Sequence, residues 1–253
     1  MDQKKRRPLI AGNWKMHEVN AEAIAFMKAF TPMLKKKGRD VVIIPPFTCL
    51  EDVGKSIRPG SAVHLGAQDL FYEKQGAFTG EISGDMLRAL GCEYVIVGHS
   101  ERRHYFKEGD GIINKKLRAA LYHSLIPILC VGEDLRQREE GLQKDVVERQ
   151  IRHGLAGLSV AEAKEISIAY EPVWAIGTGK NATPKQAGEM HAFIRKTVAA
   201  IFGKTVSEGM RMLYGGSVKP DNVKELMSQK DIDGVLVGGA SLDPKSFAKI
   251  ANF

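Results

Sequence analysis

The sequence predicts an α/β protein with a single (β/α)8 barrel over residues 1–253, of which residues 1–7 form a basic N-terminal extension. Two observations predict this fold class: eight short apolar runs rich in Val, Ile and Leu, and helical patterns between them. Continuous rather than alternating apolarity is typical of parallel strands that are buried on both faces. The length also fits two small domains, but no linker rich in Pro, Gly or Ser divides the chain.

Each apolar run predicts one barrel strand. In chain order the runs cover residues 8–14, 40–46, 62–68, 94–100, 125–133, 165–172, 210–218 and 233–241. Helical segments lie between them, and the best marked begins at Thr183-Pro184, where Gln186 completes a capping box. Another begins at Asp243-Pro244. Eight such units in 253 residues describe a (β/α)8 barrel.

Composition narrows the class of protein. At 43% hydrophobic residues the chain can bury a sizeable core without disulfide bonds. Its cysteines, Cys49, Cys92 and Cys130, lie far apart without the spacing of a zinc site, and a reducing cytoplasm is the expected location. The N-terminus lacks the apolar stretch of a signal peptide, and no segment is long enough to predict a membrane span.

The formal net charge of +7 is compatible with a polyanionic partner or with a small anionic substrate. Much of the charge is local, in residues 4–7 and 35–37. We interpret both clusters as solvated ends of elements, with a nucleic-acid site as the alternative. No nucleic-acid partner is therefore expected.

Polar residues and glycines follow several of the predicted strands. Active sites of (β/α)8 barrels lie at the C-terminal ends of the strands, so these positions should converge on one mouth. They are Asn13 and Lys15 after the first strand, His99 after the fourth, Glu171 after the sixth, Gly215, Gly216 and Ser217 after the seventh, and Gly238 and Gly239 after the eighth.

Together these residues suit proton-transfer chemistry on a phosphorylated substrate. A carboxylate base needs an acid that polarises a carbonyl, and a cation steadies the resulting oxyanion. Glycine ends of the last two strands offer backbone N–H groups to a phosphate. Each polar residue alone has a structural alternative: Asn13 as a turn residue, Lys15 as a solvated strand end, His99 as a core histidine.

Five motifs carry a resemblance to a known family. AGNWKM, GHSERR, AYEPVWAIGTG, YGGSV and VGGASL occur in this order from Pro8 to Phe253. The sequence thereby resembles the triosephosphate isomerases, whose fold is the TIM barrel. The resemblance implies an isomerase of glycolysis and gluconeogenesis that interconverts dihydroxyacetone phosphate and D-glyceraldehyde 3-phosphate. No HExxH, Walker A or G-x-G-x-x-G motif appears in the sequence, so no metal and no nucleotide cofactor is expected.

By the same resemblance, Glu171 moves a proton between C1 and C2 of the substrate, and His99 acts as a neutral imidazole on the substrate oxygens. Lys15 stabilises the enediolate and the phosphate, Asn13 donates a hydrogen bond, and Glu101 pairs with Lys15. The phosphate is held by backbone N–H groups of Gly177, Ser217, Gly238 and Gly239.

Residues 172–178 resemble a mobile lid that excludes water from the site. This explains why an apolar segment follows a strand end where a polar loop is expected. The residues assigned to the lid and its surroundings are Trp174 and Ile176 as the cover, Leu236 against the base, and Glu133 and Tyr214 as latches.

Residues 69–83 form a loop too long and too aromatic for the bare surface of a monomer. The resemblance implies a homodimer in which Thr79 lies against Asn13 and Lys15 of the partner subunit. Two other functions stay open: another sugar-phosphate isomerase or epimerase, and a catalytically silent phosphate-binding barrel. The first would not need a histidine, a lysine and a glutamate at these strand ends.

Overall fold

The computed structural model describes residues 6–35, 38–175 and 182–253. Within them, eight parallel strands close into a barrel in chain order, each paired with the next and the last with the first. The predicted α/β (β/α)8 barrel is confirmed.

The strands are short and their residues almost all buried. They are β1 Leu9–Asn13, β2 Asp40–Ile44, β3 Val63–Ala67, β4 Tyr94–Val97, β5 Ile126–Val131, β6 Ser167–Tyr170, β7 Met212–Tyr214 and β8 Gly234–Val237. Each lies inside the apolar run that predicts it, and the residues that overrun its C-terminal end belong to the mouth of the barrel.

The helices surround the strands. They are α1 Asn20–Phe30, α2 Leu50–Ser56, α3 Gly84–Ala89, α4 Ser100–Tyr105, α5 Asp110–Tyr122, α6 Leu135–Glu139, α7 Gln143–Gly154, α8 Val160–Ala163, α9 Pro184–Phe202, α10 Lys204–Gly209, α11 Val223–Ser228 and α12 Pro244–Ala251. Short 3-10 turns lie at Thr31–Met33, Phe47–Cys49, Val173–Ala175 and Gly239–Ser241. None of the described helices combines the length and apolarity needed to span a bilayer.

Strand residues alternate between two apolar cores. One set fills the barrel interior: Leu9, Ala11, Val42, Ile44, Tyr94, Ile96, Ile128, Cys130, Ala169, Leu213 and Leu236. The other set packs outwards against the helices, as Ile10 and Val41 do. Because side chains of consecutive strand residues point to opposite faces, both faces must be apolar, which is why the runs are continuous.

Arg6 and Arg7, the described basic residues of the N-terminal extension, pair with carboxylates at the floor of the barrel, near the N-terminal ends of the strands. Arg6 was predicted to be a solvated end, and that prediction is wrong: its Nε lies 2.7 Å from Asp233 Oδ1 and its side chain is 13% exposed. Arg195 holds the other oxygen of Asp233 at 2.7 Å. A fully buried carboxylate requires such partners, so Asp233 draws Arg6 inwards. Arg7 remains half-exposed and pairs with Asp40.

Candidate active site

A cavity of about 270 Å³ opens at the C-terminal ends of the strands. Its lining comes from five parts of the chain that are distant in sequence: Asn13, Lys15, His99, Glu171, Gly215, Gly216, Ser217, Val218, Lys219, Leu236, Gly238, Gly239 and Ala240. All four polar residues singled out in the sequence, Asn13, Lys15, His99 and Glu171, line this cavity. This is expected for residues at the C-terminal ends of barrel strands.

Glu171 follows β6 and is 2% exposed. Its Oε2 accepts the Ser100 N–H at 2.9 Å, and its Oε1 lies 3.0 Å from His99 Nε2. Two glycines make room for it. A Cβ at Gly132 would lie 1.7 Å from the Glu171 carbonyl oxygen, and one at Gly215 would lie 3.0 Å from Glu171 Cγ. A buried, hydrogen-bonded carboxylate therefore faces the cavity.

His99 is the N-terminal cap of α4 and is 6% exposed. Its Nδ1 accepts the Glu101 N–H at 3.2 Å, so this nitrogen carries no proton. Nε2 then carries the proton and donates it toward Glu171 Oε1. These hydrogen bonds fit a neutral imidazole whose N–H points to the cavity wall shared with Glu171.

Glu171 and His99 shift each other's pKa. Burial raises the pKa of Glu171, but the His99 ring and the Ser100 N–H prevail and hold it below its usual value. Burial lowers the pKa of His99, but the Glu171 carboxylate prevails and raises it. Both shifts depend on the contact between the two side chains. A substrate that draws Glu171 away from His99 breaks this contact. The pKa of Glu171 then rises and the pKa of His99 falls, so Glu171 becomes a stronger base and His99 stays neutral.

Asn13 ends β1 and Lys15 follows it, and local hydrogen bonds fix both residues. Lys15 has a φ of 54°, a left-handed conformation that costs about 1 kcal/mol or more in a non-glycine residue. Its N–H is held by Asn13 Oδ1 at 3.0 Å, and its carbonyl accepts the Gln68 amide at 2.7 Å. Its Nζ lies 2.6 Å from Glu101 Oε1. Local hydrogen bonds therefore sustain the strained backbone that aims the ammonium into the cavity.

The loops after β7 and β8 line the remaining wall. A Cβ at Gly216 would lie 2.3 Å from Tyr214 Oη, so the close packing of this loop requires glycine there. Gly239 begins the 3-10 turn Gly239–Ser241, and the first N–H groups of such a turn have no partner within it. Gly239 and Ser217 both line the cavity.

Glu133 anchors the described start of the segment after β6. This fully buried carboxylate accepts at Oε1 the Trp174 Nε1–H at 2.8 Å and the Tyr170 hydroxyl at 3.0 Å. The Arg138 guanidinium lies 3.4 Å from the same oxygen and also over the Trp174 ring. Burial raises the pKa of Glu133, and these donors oppose the rise. Trp174 is thereby tied to the barrel wall.

Comparison with known proteins decides the family. A family model described as triosephosphate isomerase matches residues 8–253. The chain belongs to the triosephosphate isomerase family. It is 54% identical over 248 residues to the triosephosphate isomerase of Caldanaerobacter subterraneus subsp. tengcongensis, covering 98% of this chain and 100% of that protein. The corresponding enzyme of Moorella thermoacetica is 55% identical, covering 98% and 99%, and that of Clostridium tetani 50%, covering 98% and 97%. The resemblance inferred from the motifs is confirmed.

Other residues assigned from the resemblance to triosephosphate isomerases lie in three kinds of place. Leu236 is buried and lines the cavity together with Glu171, whereas Tyr214 is buried under the loop that follows it. Thr79 is exposed and does not line the cavity of its own chain. Ile176 and Gly177 lie outside the described residues.

Sequence reasoning missed Gln68, Ser100 and Lys219. Gln68 ends the third apolar run, so it could have been predicted at the mouth in the same way as the other residues at the C-terminal ends of strands. Ser100 acts through its backbone N–H, which a side-chain search does not detect. Lys219 follows YGGSV in a sequence rich in lysine, and nothing in the triosephosphate isomerase motifs marks it.

Proposed function

We infer that the chain interconverts dihydroxyacetone phosphate and D-glyceraldehyde 3-phosphate, and we propose that Glu171, His99, Lys15 and Asn13 carry the reaction. The observation that carries the proposal is the buried Glu171 carboxylate, 3.0 Å from the His99 ring at a cavity that Lys15 also lines. Isomerisation requires a base for a carbon-bound proton and a donor for the neighbouring oxygen. This cavity offers both.

Glu171 takes a proton from C1 of dihydroxyacetone phosphate, and the electron pair of that C–H bond forms the C1–C2 double bond of an enediolate. Return of the proton to C2 gives the aldehyde at C1. One base serves both carbons because C1 and C2 are adjacent. The hydrogen bonds of Glu171 to Ser100 and His99 lower its pKa at rest, so its basicity rises when substrate displaces them.

His99 supplies the proton-donating group. The Nε2–H of a neutral ring hydrogen-bonds the C2 oxygen of the substrate, and the ring transfers protons between O2 and O1 as the double bond moves. Its Nδ1 is occupied by the Glu101 N–H, which disfavours a second proton on the ring. A neutral donor also avoids an ion pair with Glu171 that would lower the basicity of the base.

Lys15 stabilises the negative charge of the enediolate and of the phosphate, and the Asn13 amide provides a further hydrogen bond. Glu101 holds the ammonium at 2.6 Å and keeps its position. Backbone N–H groups of Ser217, Gly238 and Gly239 bind the phosphate, with Gly177 contributing from the lid. Preorganised donors of this kind stabilise developing charge without reorganisation.

A second copy of the chain completes the site in our proposal. The loop 73–81 is exposed throughout, and Phe78 within it is 42% exposed. Met16, beside the cavity residue Lys15, is 93% exposed, and Met86 is 53% exposed. Large apolar side chains in such positions favour burial against a partner. Insertion of the loop brings Thr79 to Asn13 and Lys15 of the partner subunit.

We place the protein in the cytoplasm, with triose phosphate and its own second copy as its partners. Supporting this, Cys49, Cys92 and Cys130 are all free and buried, as suits a reducing compartment.

A coupled assay tests the activity. Dihydroxyacetone phosphate is supplied to the purified protein, and D-glyceraldehyde 3-phosphate is detected by its enzymatic oxidation. Parallel assays with pentose phosphates address the alternative of another sugar-phosphate isomerase or epimerase. Turnover of the triose phosphate alone is expected. Turnover of a pentose phosphate alone would favour that alternative, and no turnover of any substrate would favour a silent barrel.

A further inference from the structure

Lys219 is a cation at the mouth of the cavity that the reaction described above does not use. It lines the cavity together with Ser217 and Gly239, and its side chain is exposed. Among residues 6–35, 38–175 and 182–253, no carboxylate forms an ion pair with it. Its ammonium is therefore available to a ligand entering the mouth.

The backbone of Lys219 is fixed although its side chain is exposed. Its N–H donates to Asn222 Oδ1 at 2.8 Å, and its carbonyl accepts the Asn222 N–H at 3.2 Å. The same Asn222 side chain donates to the Ser217 carbonyl at 3.1 Å. One asparagine thus hydrogen-bonds the backbone of both Ser217 and Lys219. The Lys219 side chain therefore extends from the same loop that supplies the proposed phosphate-binding N–H group of Ser217.

The charges at the mouth give this lysine a role. The ammonium of Lys15 is offset by the Glu101 carboxylate at 2.6 Å, and Glu171 adds a further negative charge. With His99 neutral, these groups sum to one negative charge, which repels a phosphate dianion. Lys219 brings the sum to zero. Its charge therefore reduces the repulsion that an approaching dianion meets from these groups.

We propose that Lys219 is a substrate-capture residue whose ammonium attracts the phosphate group of the triose phosphate to the mouth and holds it during binding. The proposal rests on the function inferred above and adds a residue to its binding site. A lysine suits this task because it presents a compact charge on a flexible stem. It acts on capture rather than on the proton transfers, which take place at Glu171 and His99.

The test compares Lys219→Gln with Lys219→Arg and with a control, Lys164→Gln. Lys164 is also exposed but precedes β6, so it lies at the floor of the barrel, and its loss changes the net charge in the same way. At low ionic strength, Lys219→Gln should lower kcat/KM for dihydroxyacetone phosphate by about 3- to 10-fold, with kcat within about twofold of wild type. The deficit should shrink in about 0.5 M salt, where exposed charges are screened.

Lys219→Arg should keep most of kcat/KM, and Lys164→Gln should match the wild type. The inference is overturned if Lys219→Gln matches Lys164→Gln, or if its loss is independent of salt or appears equally in kcat. Any of these results would mean that Lys219 has only a structural role or no role in substrate binding.

Binding of inorganic phosphate, measured by calorimetry, separates this inference from the proposed function. Phosphate should bind Lys219→Gln more weakly than wild type or Lys164→Gln, whether or not the protein turns over triose phosphate. If wild type is inactive but phosphate binding depends on Lys219, the proposed activity fails and the capture site stands. If wild type is active and Lys219→Gln binds phosphate as tightly as wild type does, the capture proposal is wrong and the proposed activity stands.

Discussion

Asp69 and Glu108 are two buried carboxylates outside the cavity that share the Lys116 ammonium. Lys116 Nζ lies 2.7 Å from Asp69 Oδ2 and 2.6 Å from Glu108 Oε1, and Arg102 Nε lies within 2.8 Å of both carboxylates. Burial raises the pKa of Asp69 to about 6, Glu108 adds to the rise, and the two cations oppose it. Asp69 is thus charged at neutral pH only at a cost in folding free energy.

This cost predicts a pH-dependent effect of Asp69→Asn. A carboxyl whose pKa is higher in the folded than in the unfolded state loses stability as pH rises, here between about 4 and about 6. Asparagine has no ionisable carboxyl group, so the variant does not lose stability at this position in this pH range. Relative to wild type, Asp69→Asn should therefore be more stable at pH 8 than at pH 5, by about 1.4 kcal/mol. Urea unfolding at both pH values and one protein concentration measures the difference.

The exposed Asp145→Asn serves as the control for this comparison, because it removes a carboxylate without changing the buried cluster of Asp69, Glu108 and Lys116. A pH-independent difference between Asp69→Asn and wild type would contradict the assignment of the titration to Asp69.

Single residues also show where sequence reasoning reaches its limit. Asn13, Lys15, His99 and Glu171 could be predicted as neighbours because each follows a parallel strand, and such strands end at one edge. The inward position of Arg6 could not, because it depends on the buried Asp233, which is more than 200 residues away in the chain. Long-range charge pairing has no local sequence signal.

At the scale of elements, local chemistry predicted the helix starts better than the strand ends. The capping box at Thr183 and Gln186 is formed, and α9 begins at Pro184. The predicted run 210–218 contains only the strand Met212–Tyr214. The strand ends where the chain must curve around the cavity, and the backbone there follows the packing of Gly215 and Gly216 rather than apolarity. The ends of the strands could therefore be located only from the structure.

The turn Val173–Ala175 after β6 yields a prediction about its anchor, Trp174. Val173 N–H donates to the Glu133 carbonyl at 3.0 Å, and Ala175 N–H donates to the Pro172 carbonyl at 2.7 Å. Trp174→Phe removes the indole donor that ties this turn to the Glu133 carboxylate. Because a hydrogen bond to a charged group contributes about 1.5 kcal/mol or more, amide exchange at Val173 and Ala175 should accelerate by about 10-fold.

Hydrogen exchange with mass spectrometry or NMR measures this acceleration. Tyr170→Phe is the matched control, since it removes another donor to the same Glu133 oxygen from the strand side. Exchange at the turn should respond to Trp174→Phe and much less to Tyr170→Phe. Equal responses would show that the charge of Glu133, rather than the Trp174 anchor, holds the turn.

At the scale of the whole molecule, the barrel separates stability from chemistry. Its floor carries ion pairs around Asp40 and Asp233, whereas its mouth carries the strained Lys15 backbone and the buried Glu171. The interior core between them is apolar.

The proposed homodimer makes a prediction about the loop at Phe78. Light scattering at micromolar concentration should give about twice the chain mass of 27.8 kDa. Phe78→Glu should dissociate the dimer and lower kcat/KM, because Thr79 is withdrawn from the site of the partner subunit. Val160→Glu, at a position 51% exposed on α8, should change neither property. A fully active species of 27.8 kDa would contradict the proposal.

The central claim is that Glu171 moves the carbon-bound proton, and proton NMR of dihydroxyacetone phosphate in deuterated water tests it most directly. Wild type should place deuterium at C1 of the substrate and C2 of the product, because the proton on Glu171 exchanges with solvent. Glu171→Gln should lose both exchanges by about 100-fold or more, while inorganic phosphate still binds. Exchange in Glu171→Gln within a few-fold of wild type would contradict the account.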